Sequence, residues 1–293
     1  MRSFRFLSLS ACAAALLAAT AAGGAPSALA AGSTVDRKAA ALVPKALASK
    51  GTVTVAADAS YAPNEFIASN GHTVIGMDAD LAKALFADLG LKVDVVNATF
   101  DTIIPGLQAG KYDIGMSSFT DTKAREKVVN FVDYFEAGTS FFEKAQGGPK
   151  VTNLASLCGL TVSVETGTTE QSDAQGQAKK CPSSKKLTVL AYPTQSAANV
   201  ALSAGKAQVG MADSPVAAYQ VKQSGGKFKI VGAAYEPAPY GIAISKSSGL
   251  TNAVHAAVLY LQKHGTYQSI FKKWGLQGIE ISASGMKING AIF

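Results

Sequence analysis

The chain has 293 residues and a formal charge of +7, with 27 Lys and Arg against 20 Asp and Glu. That length accommodates two domains of ordinary size, each with its own core, which excludes a single small stapled module. The pairs Lys179-Lys180, Lys185-Lys186 and Lys272-Lys273 are scattered and not interleaved with aromatic residues, so they read as solvated faces and exclude a nucleic-acid partner.

Residues 1–30 carry the marks of a signal peptide: Arg2 and Arg5, an apolar stretch over 6–22, and the small-residue site Ala28-Leu29-Ala30. A competing reading takes Leu9-Ser10-Ala11-Cys12 as a lipobox and anchors the exported protein through Cys12. Either way the product is extracytoplasmic. Loss of Arg2 and Arg5 lowers the formal charge from +7 to +5. No apolar run of about eighteen residues follows Ala31, so the mature chain is not expected to span a membrane.

Residues 31–50 form a helical lead-in. The alternation in Gly51-Thr52-Val53-Thr54-Val55-Ala56 predicts a first strand ending at Asp58, and Asn70-Gly71 a hairpin turn with His72 on its surface. A helix is expected next, with Asp78 as its N-cap, Leu81, Ala84, Leu85 and Leu89 on one face and Gly90 as its stop. A strand over 92–97 leads to a helix starting near Asp101, where Pro105 is tolerated close to the first turn. This βαβαβ order implies a parallel sheet with helices on its faces.

Positions 107–116 (LQAGKYDIGM) recur at 202–211 as LSAGKAQVGM, six of the ten residues being identical. Each copy reads as a helix end, a Gly stop and a short apolar strand. The repeat implies two similar α/β lobes. In open α/β sheets ligands bind beyond the carboxyl ends of the strands. There the first copy leads to Ser117, Ser118, Thr120 and Arg125, and the second to Asp213. Thr120 and Asp121 can cap the helix that carries Arg125. A cation and an anion facing each other across a hydroxyl-lined crevice match a free amino acid. Between the copies, strands are expected over 160–164 and 187–190 and helices over 168–179 and 194–203, Thr168 and Thr169 providing capping hydroxyls after Gly167. A further strand over 208–212, a helix opening at Ser214 with Pro215 in its first position, a strand near 229–231 and a helix over 251–274 complete the pattern. The chain is expected to cross between lobes near 137–142 and again near 235–241, where two prolines stand. The domains are thus a first lobe over 31–138, a second over 139–236, and a return to the first over 237–293.

Cys158 and Cys181 remain after export to an oxidising compartment, and a disulfide between them is expected; neither a Cys-x-x-Cys spacing nor a nearby His supports a metal or redox pair.

From Gly51 to Trp274 the chain resembles the polar amino-acid solute-binding proteins of ABC importers. The resemblance is carried by ADASYAP (57–63), GMDADLA (76–82), FDTIIPGL (100–107), GKYD (110–113), SSFTDTKAR (117–125), GTT (167–169), ADSPVA (212–217) and PYGIA (239–243), in the family's order. It implies a periplasmic-binding-protein fold of type II: two Rossmann-like α/β lobes joined by two hinge strands, with a ligand cleft between them. It also implies that Arg125 clamps the ligand carboxylate with Ser117, Ser118 and Thr120, and that Thr168 and Thr169 contribute from the second lobe. Asp213 would take the α-ammonium, Tyr61 and Phe100 would sandwich the ligand side chain, and Asp58 would approach its far end. Asn64 and Met77 depart from the family's usual Phe, the first bearing on side-chain preference and the second on the core. The tail after Trp274 is longer than in many members.

The expected partners are a membrane ABC permease and a polar amino acid, with arginine, lysine or glutamine ahead of small apolar ones. The aromatic faces attract a cation and Asp58 offers it a charge-assisted hydrogen bond. The protein is expected to be a monomer without cofactor or metal. His72, His255 and His264 fall at turns or helix surfaces and no HExxH or nucleophile elbow occurs, so no catalytic residue is assigned. The alternatives are an exported enzyme on the same fold, resembling cyclohexadienyl dehydratases and using a carboxylate such as Glu165, or a secreted sensing module.

Overall fold

Apolar alternation and Gly stops build a doubly wound sheet, seen in a computed structural model that describes residues 35–293. The expected signal peptide and Cys12 lie outside the described residues. Two short helices, α1 (Arg37–Ala40) and α2 (Lys45–Lys50), precede strand β1 (Thr52–Ala57). The small strands β2 (Ser60–Tyr61), β3 (Glu65–Ile67) and β4 (Val74–Ile75) follow, with the hairpin at Asn70-Gly71 as expected. Then come α3 (Met77–Asp88), β5 (Lys92–Asn97), α4 (Phe100–Gln108), β6 (Ile114–Thr120), the one-turn α5 (Lys123–Glu126) and the long β7 (Val129–Lys144). The second half contains β8 (Thr161–Glu165), α6 (Thr169–Lys180), β9 (Thr188–Tyr192), α7 (Gln195–Ser203), β10 (Val209–Asp213), α8 (Ser214–Gln223) and the long β11 (Phe228–Ser245). Helices α9 (Thr251–Lys263) and α10 (Thr266–Trp274) close the order.

Among the described residues one sheet runs β5-β1-β6-β11-β7-β10-β8-β9. β1 pairs in parallel with β5 and β6, and β8 with β9 and β10. The antiparallel pair β7 and β11 joins these two parallel halves. Each half buries apolar residues on both faces: Leu81, Phe86, Val254 and Phe271 on one side of the first and Phe100, Ile103 and Phe119 on the other. In the second half Leu157, Val164 and Met211 lie on one side and Leu202 and Val216 on the other. Coverage of both faces is what a parallel sheet requires.

The repeat folds the same way twice. Gly110 and Gly205, both at positive φ, end α4 and α7, and Lys111 and Lys206 N–H each donate at 2.9 Å to a carbonyl in the last helical turn. Asp113 Oδ2 accepts from Thr54 N–H at 2.8 Å, and Gln208 Oε1 accepts from Thr161 N–H at 3.0 Å. Different residues thus make the same side-chain tie to the neighbouring strand.

The structure corrects several expectations. Gly76, not Asp78, is the N-cap of α3; Asp78 is buried and accepts from Tyr134 OH and Ser118 N–H. Helix 251–274 is broken in two by Gly265, whose φ of 82° belongs to the left-handed region. The crossing expected at 235–241 lies within strand β11, which runs through both prolines with register shifts that absorb the irregular backbone.

The tail beyond Trp274 returns to the first half. Ile288 bridges Val132, Asn289 Oδ1 accepts from Phe131 N–H, Glu126 Oε1 accepts from Ala291 N–H, and Phe293 O accepts from Lys123 N–H. The tail therefore straps β7 to α5. Beneath it Asp121 and Asp133 are buried together, next to Glu126, and none of their four carboxyl oxygens has a hydrogen-bond partner among the described residues. Burial and the neighbouring acids push Asp121 up to about 7 and Asp133 up to about 8. Raised native values give stability that is complete below the unfolded range near 4 and lost as pH rises through 7 to 8. Asp133→Asn keeps the shape of the side chain and removes the second charge. It is expected to match the wild type in melting temperature near pH 5 and to exceed it near pH 9 by several degrees, on the order of 1–3 kcal/mol. Parallel melting curves across that range would refute the coupling of the two buried acids.

Candidate functional site

All ten residues expected at the site line one cavity of about 10 Å³ between the two halves: Asp58, Tyr61, Phe100, Ser117, Ser118, Thr120, Arg125, Thr168, Thr169 and Asp213. Glu165, named from sequence only as the carboxylate of the enzyme alternative, and Glu170, not named at all, complete the lining. That is room for about one water molecule, so the two halves are closed down on the site.

The lining comes from strand ends. Asp58 follows β1, Ser117, Ser118 and Thr120 end β6, Glu165 ends β8 and Asp213 ends β10. Asp58 and Glu165 occupy equivalent positions, since Val55 pairs with Ile114 as Val162 pairs with Val209. The equivalence extends to their partners. Asp58 Oδ2 accepts from Phe100 N–H, the start of α4, at 3.0 Å, and Glu165 Oε1 from Gln195 N–H, the start of α7, at 3.1 Å. Each lobe thus ties its first strand to a helix N-terminus through a carboxylate, where the free N–H groups and dipole favour one. An acid after the first strand of each lobe was the signal from which Glu165 could have been found.

Arg125 sits on α5, whose cap is Thr122 rather than Thr120 or Asp121: Thr122 Oγ1 accepts from Arg125 N–H at 3.2 Å. Its Nη1 donates to Thr120 O at 2.8 Å, its Nη2 to Gly167 O at 3.0 Å across the cleft, and its guanidinium lies 5.4 and 5.5 Å from the ring centres of Phe100 and Phe119. Phe100 stacks on Phe119 at 4.5 Å, so it supports the arginine as well as lining the cavity. Of the five N–H groups of a guanidinium, two are held and three remain for a ligand.

Asp213 is not the side-chain cap of α8. Its Oδ1 accepts from Tyr240 OH and its N–H donates to Tyr61 OH at 3.0 Å. Beside it Glu170 accepts from Thr139 Oγ1 at 2.7 Å and from Thr169 Oγ1 at 3.3 Å. Thr168 caps α6 and donates to Glu165 O. Burial, then the charge of Glu170, raises Asp213 well above the usual carboxylate range, and burial, then the charge of Asp58, does the same to Glu165.

The serines stand on a second layer. Ser117 Oγ accepts from Asp58 N–H and donates to Glu65. Ser118 has a φ of 50°, uncommon for a residue with a side chain; its N–H is held by Asp78 and its Oγ by Asn64 Nδ2 at 2.8 Å. Asn64 is therefore a support for the serine turn and does not line the cavity, while Met77 is fully buried in the core. The halves are closed on each other: besides the Arg125 and Tyr61 bonds, Gln195 N–H donates to Ser60 Oγ, and Gly167 lies against Asp101 of α4. No helix among the described residues is long and apolar enough to cross a membrane.

Comparison with known proteins places this architecture. Residues 53–277 match the bacterial extracellular solute-binding proteins, family 3. The arginine-binding protein ArgT of Corynebacterium glutamicum is 37% identical over 242 residues, which cover 81% of this chain and 78% of that protein. An ancestral arginine-binding protein solved with arginine aligns with a TM-score of 0.72 at 36% identity, covering 76% of this chain and 98% of its own. An ancestral amino acid-binding protein described as a precursor of cyclohexadienyl dehydratase aligns with a TM-score of 0.71 at 35% identity, covering 78% and 97%. With more than half of its length matched, and with two α/β lobes closing on a polar cavity at their strand ends, the chain belongs to the family 3 extracellular solute-binding proteins.

Proposed function

We propose that this protein is the extracytoplasmic binding component of an amino-acid ABC importer and that its ligand is an amino acid with a positively charged side chain. One observation carries the choice of ligand: four carboxyl-bearing residues, Asp58, Glu165, Glu170 and Asp213, face the single guanidinium of Arg125 around one closed cavity. A ligand with two positive groups and one carboxylate balances that set better than a neutral zwitterion. Arg125 takes the ligand carboxylate with the Ser118 and Thr120 turn, Asp213 and Glu170 take the α-ammonium, and Asp58 and Glu165 take the cationic end. The relatives named for arginine support the same ligand class. Export by the N-terminal signal and delivery to a permease complete the reading, and the protein acts without catalysis.

A calorimetric screen of the twenty amino acids is expected to return arginine or lysine first, and glutamate or aspartate as the tightest ligand would sink the assignment. Recovery of the ligand unchanged tests the absence of catalysis. The lobes meet where β7 and β11 cross, near 137–139 and 235–238, and these strands act as the hinge. Small-angle scattering is expected to show compaction at saturating ligand, since selective binding to the closed form shifts the population toward it. Binding without any compaction would count against the hinge.

A further inference from the structure

Asp58 and Glu165 both line the cationic end of the closed cavity, one from each lobe, and are linked through Ser60: its N–H donates to Asp58 Oδ1 at 3.1 Å, and its Oγ shares with Glu165 Oε1 the N–H of Gln195. Both are almost wholly buried. Two carboxylates buried in the same closed cavity cannot both stay ionised, so closure without a cation requires a proton on one of them. Donor counts say which residue carries it. Asp58 already accepts two backbone N–H groups, from Ser60 at 3.1 Å and Phe100 at 3.0 Å, whereas Glu165 accepts one, from Gln195. Asp58 is therefore the anion, and Glu165 the acid that keeps the proton.

The groups facing the pair reinforce this arrangement. Glu170 of α6 adds negative charge beside Glu165; burial raises Glu65 of β3 and Asp213 of β10 well above the usual carboxylate range; Tyr61 of β2 and Tyr240 of β11 are neutral phenols; Arg125 is the cation of the cavity, and its fork is directed to Thr120 O and Gly167 O.

Resting on the ligand class proposed above, the geometry points to an exchange: a cationic side chain entering between Asp58 and Glu165 displaces the Glu165 proton to solvent, so capture of a cationic amino acid releases one proton more than capture of an uncharged one. The α-ammonium end does not make this distinction, because Asp213 and Glu170 meet the same group in every amino acid. Selectivity for cationic over neutral ligands then rises with pH, by up to about tenfold per unit while Glu165 titrates. Acidification narrows it.

The test is titration calorimetry of the full chain with arginine and with citrulline, whose urea replaces the guanidinium, at one neutral pH in phosphate and in Tris. The dependence of the heat on buffer gives the protons released. Arginine is expected to release about one more than citrulline. Glu165→Gln keeps a donor at this position but holds no exchangeable charge, so in that variant the difference disappears and the pH profile of arginine affinity between about pH 5 and pH 8 becomes flatter than in the wild type. Equal proton release by both ligands, or the same arginine pH profile in wild type and Glu165→Gln, overturns the exchange while leaving the binding function intact. Failure of every amino acid to bind overturns the function itself, and the exchange with it.

Discussion

Arg125→Ala is expected to weaken amino-acid binding by roughly thirtyfold or more, because truncating one partner of a desolvated charge pair costs about 2–5 kcal/mol. Among the described residues lining the cavity Arg125 is the one cation. Its removal leaves the ligand carboxylate beside acids alone and takes away the bond that Arg125 Nη2 makes across the cleft to Gly167 O. Arg125→Lys restores the charge but not the fork, and recovers only part of the loss. An amino-acid amide separates the local effect from a general one: with no carboxylate to hold, it is expected to lose much less than the parent amino acid on going to Arg125→Ala. Wild-type affinity in the alanine variant, measured by calorimetry, would refute the role of Arg125.

The second large effect concerns stability and spares binding. Cys158 and Cys181 are bonded, with Cα atoms 5.4 Å apart and a sequence separation of 23. A closed loop of this size contributes about 3 kcal/mol in the chain-entropy model. Replacing both by Ser is expected to lower the melting temperature by roughly 6–12 °C at 2–4 °C per kcal/mol for a chain of this size. Affinity stays nearly unchanged for a geometric reason. The bond anchors the C-terminal end of α6, while Thr168, Thr169 and Glu170 stand at its N-terminal end, about 18 Å away along a helix of twelve residues. A matching loss of affinity would mean that the disulfide positions the site.

Much of this was legible because local chemistry and fold agree. The two Gly-Lys repeats marked equivalent helix-to-strand turns, and the residues after each strand led to Ser117, Arg125 and Asp213. Tertiary context overrode local signals elsewhere. Pro237 and Pro239 marked the crossing between lobes but not its form, since β11 carries them by shifting register against β7. The apolar pattern over 251–274 continued through Gly265, and only the backbone shows the helix ending there. Glu170 stayed hidden because Gly167-Thr168-Thr169 is fully explained by capping, which drew attention from the acid beside it. Asp121 and Asp133 are distant in pattern and meet only because the tail folds over them.

The close approach of Gly167 to α4 has a bearing on how such a binder can be tuned. With φ at +83°, a side chain at this position would be strained, and its Cβ would stand 2.8 Å from that of Asp101. Bulk there opposes the closed form whatever lies in the cavity, and so scales every ligand's affinity by one common factor while leaving their ratios untouched. Glu165, two positions earlier, alters those ratios. Gain and selectivity are therefore adjustable at separate residues of one short turn, the combination a designer of an amino-acid sensor needs in order to shift the working range without changing what is detected.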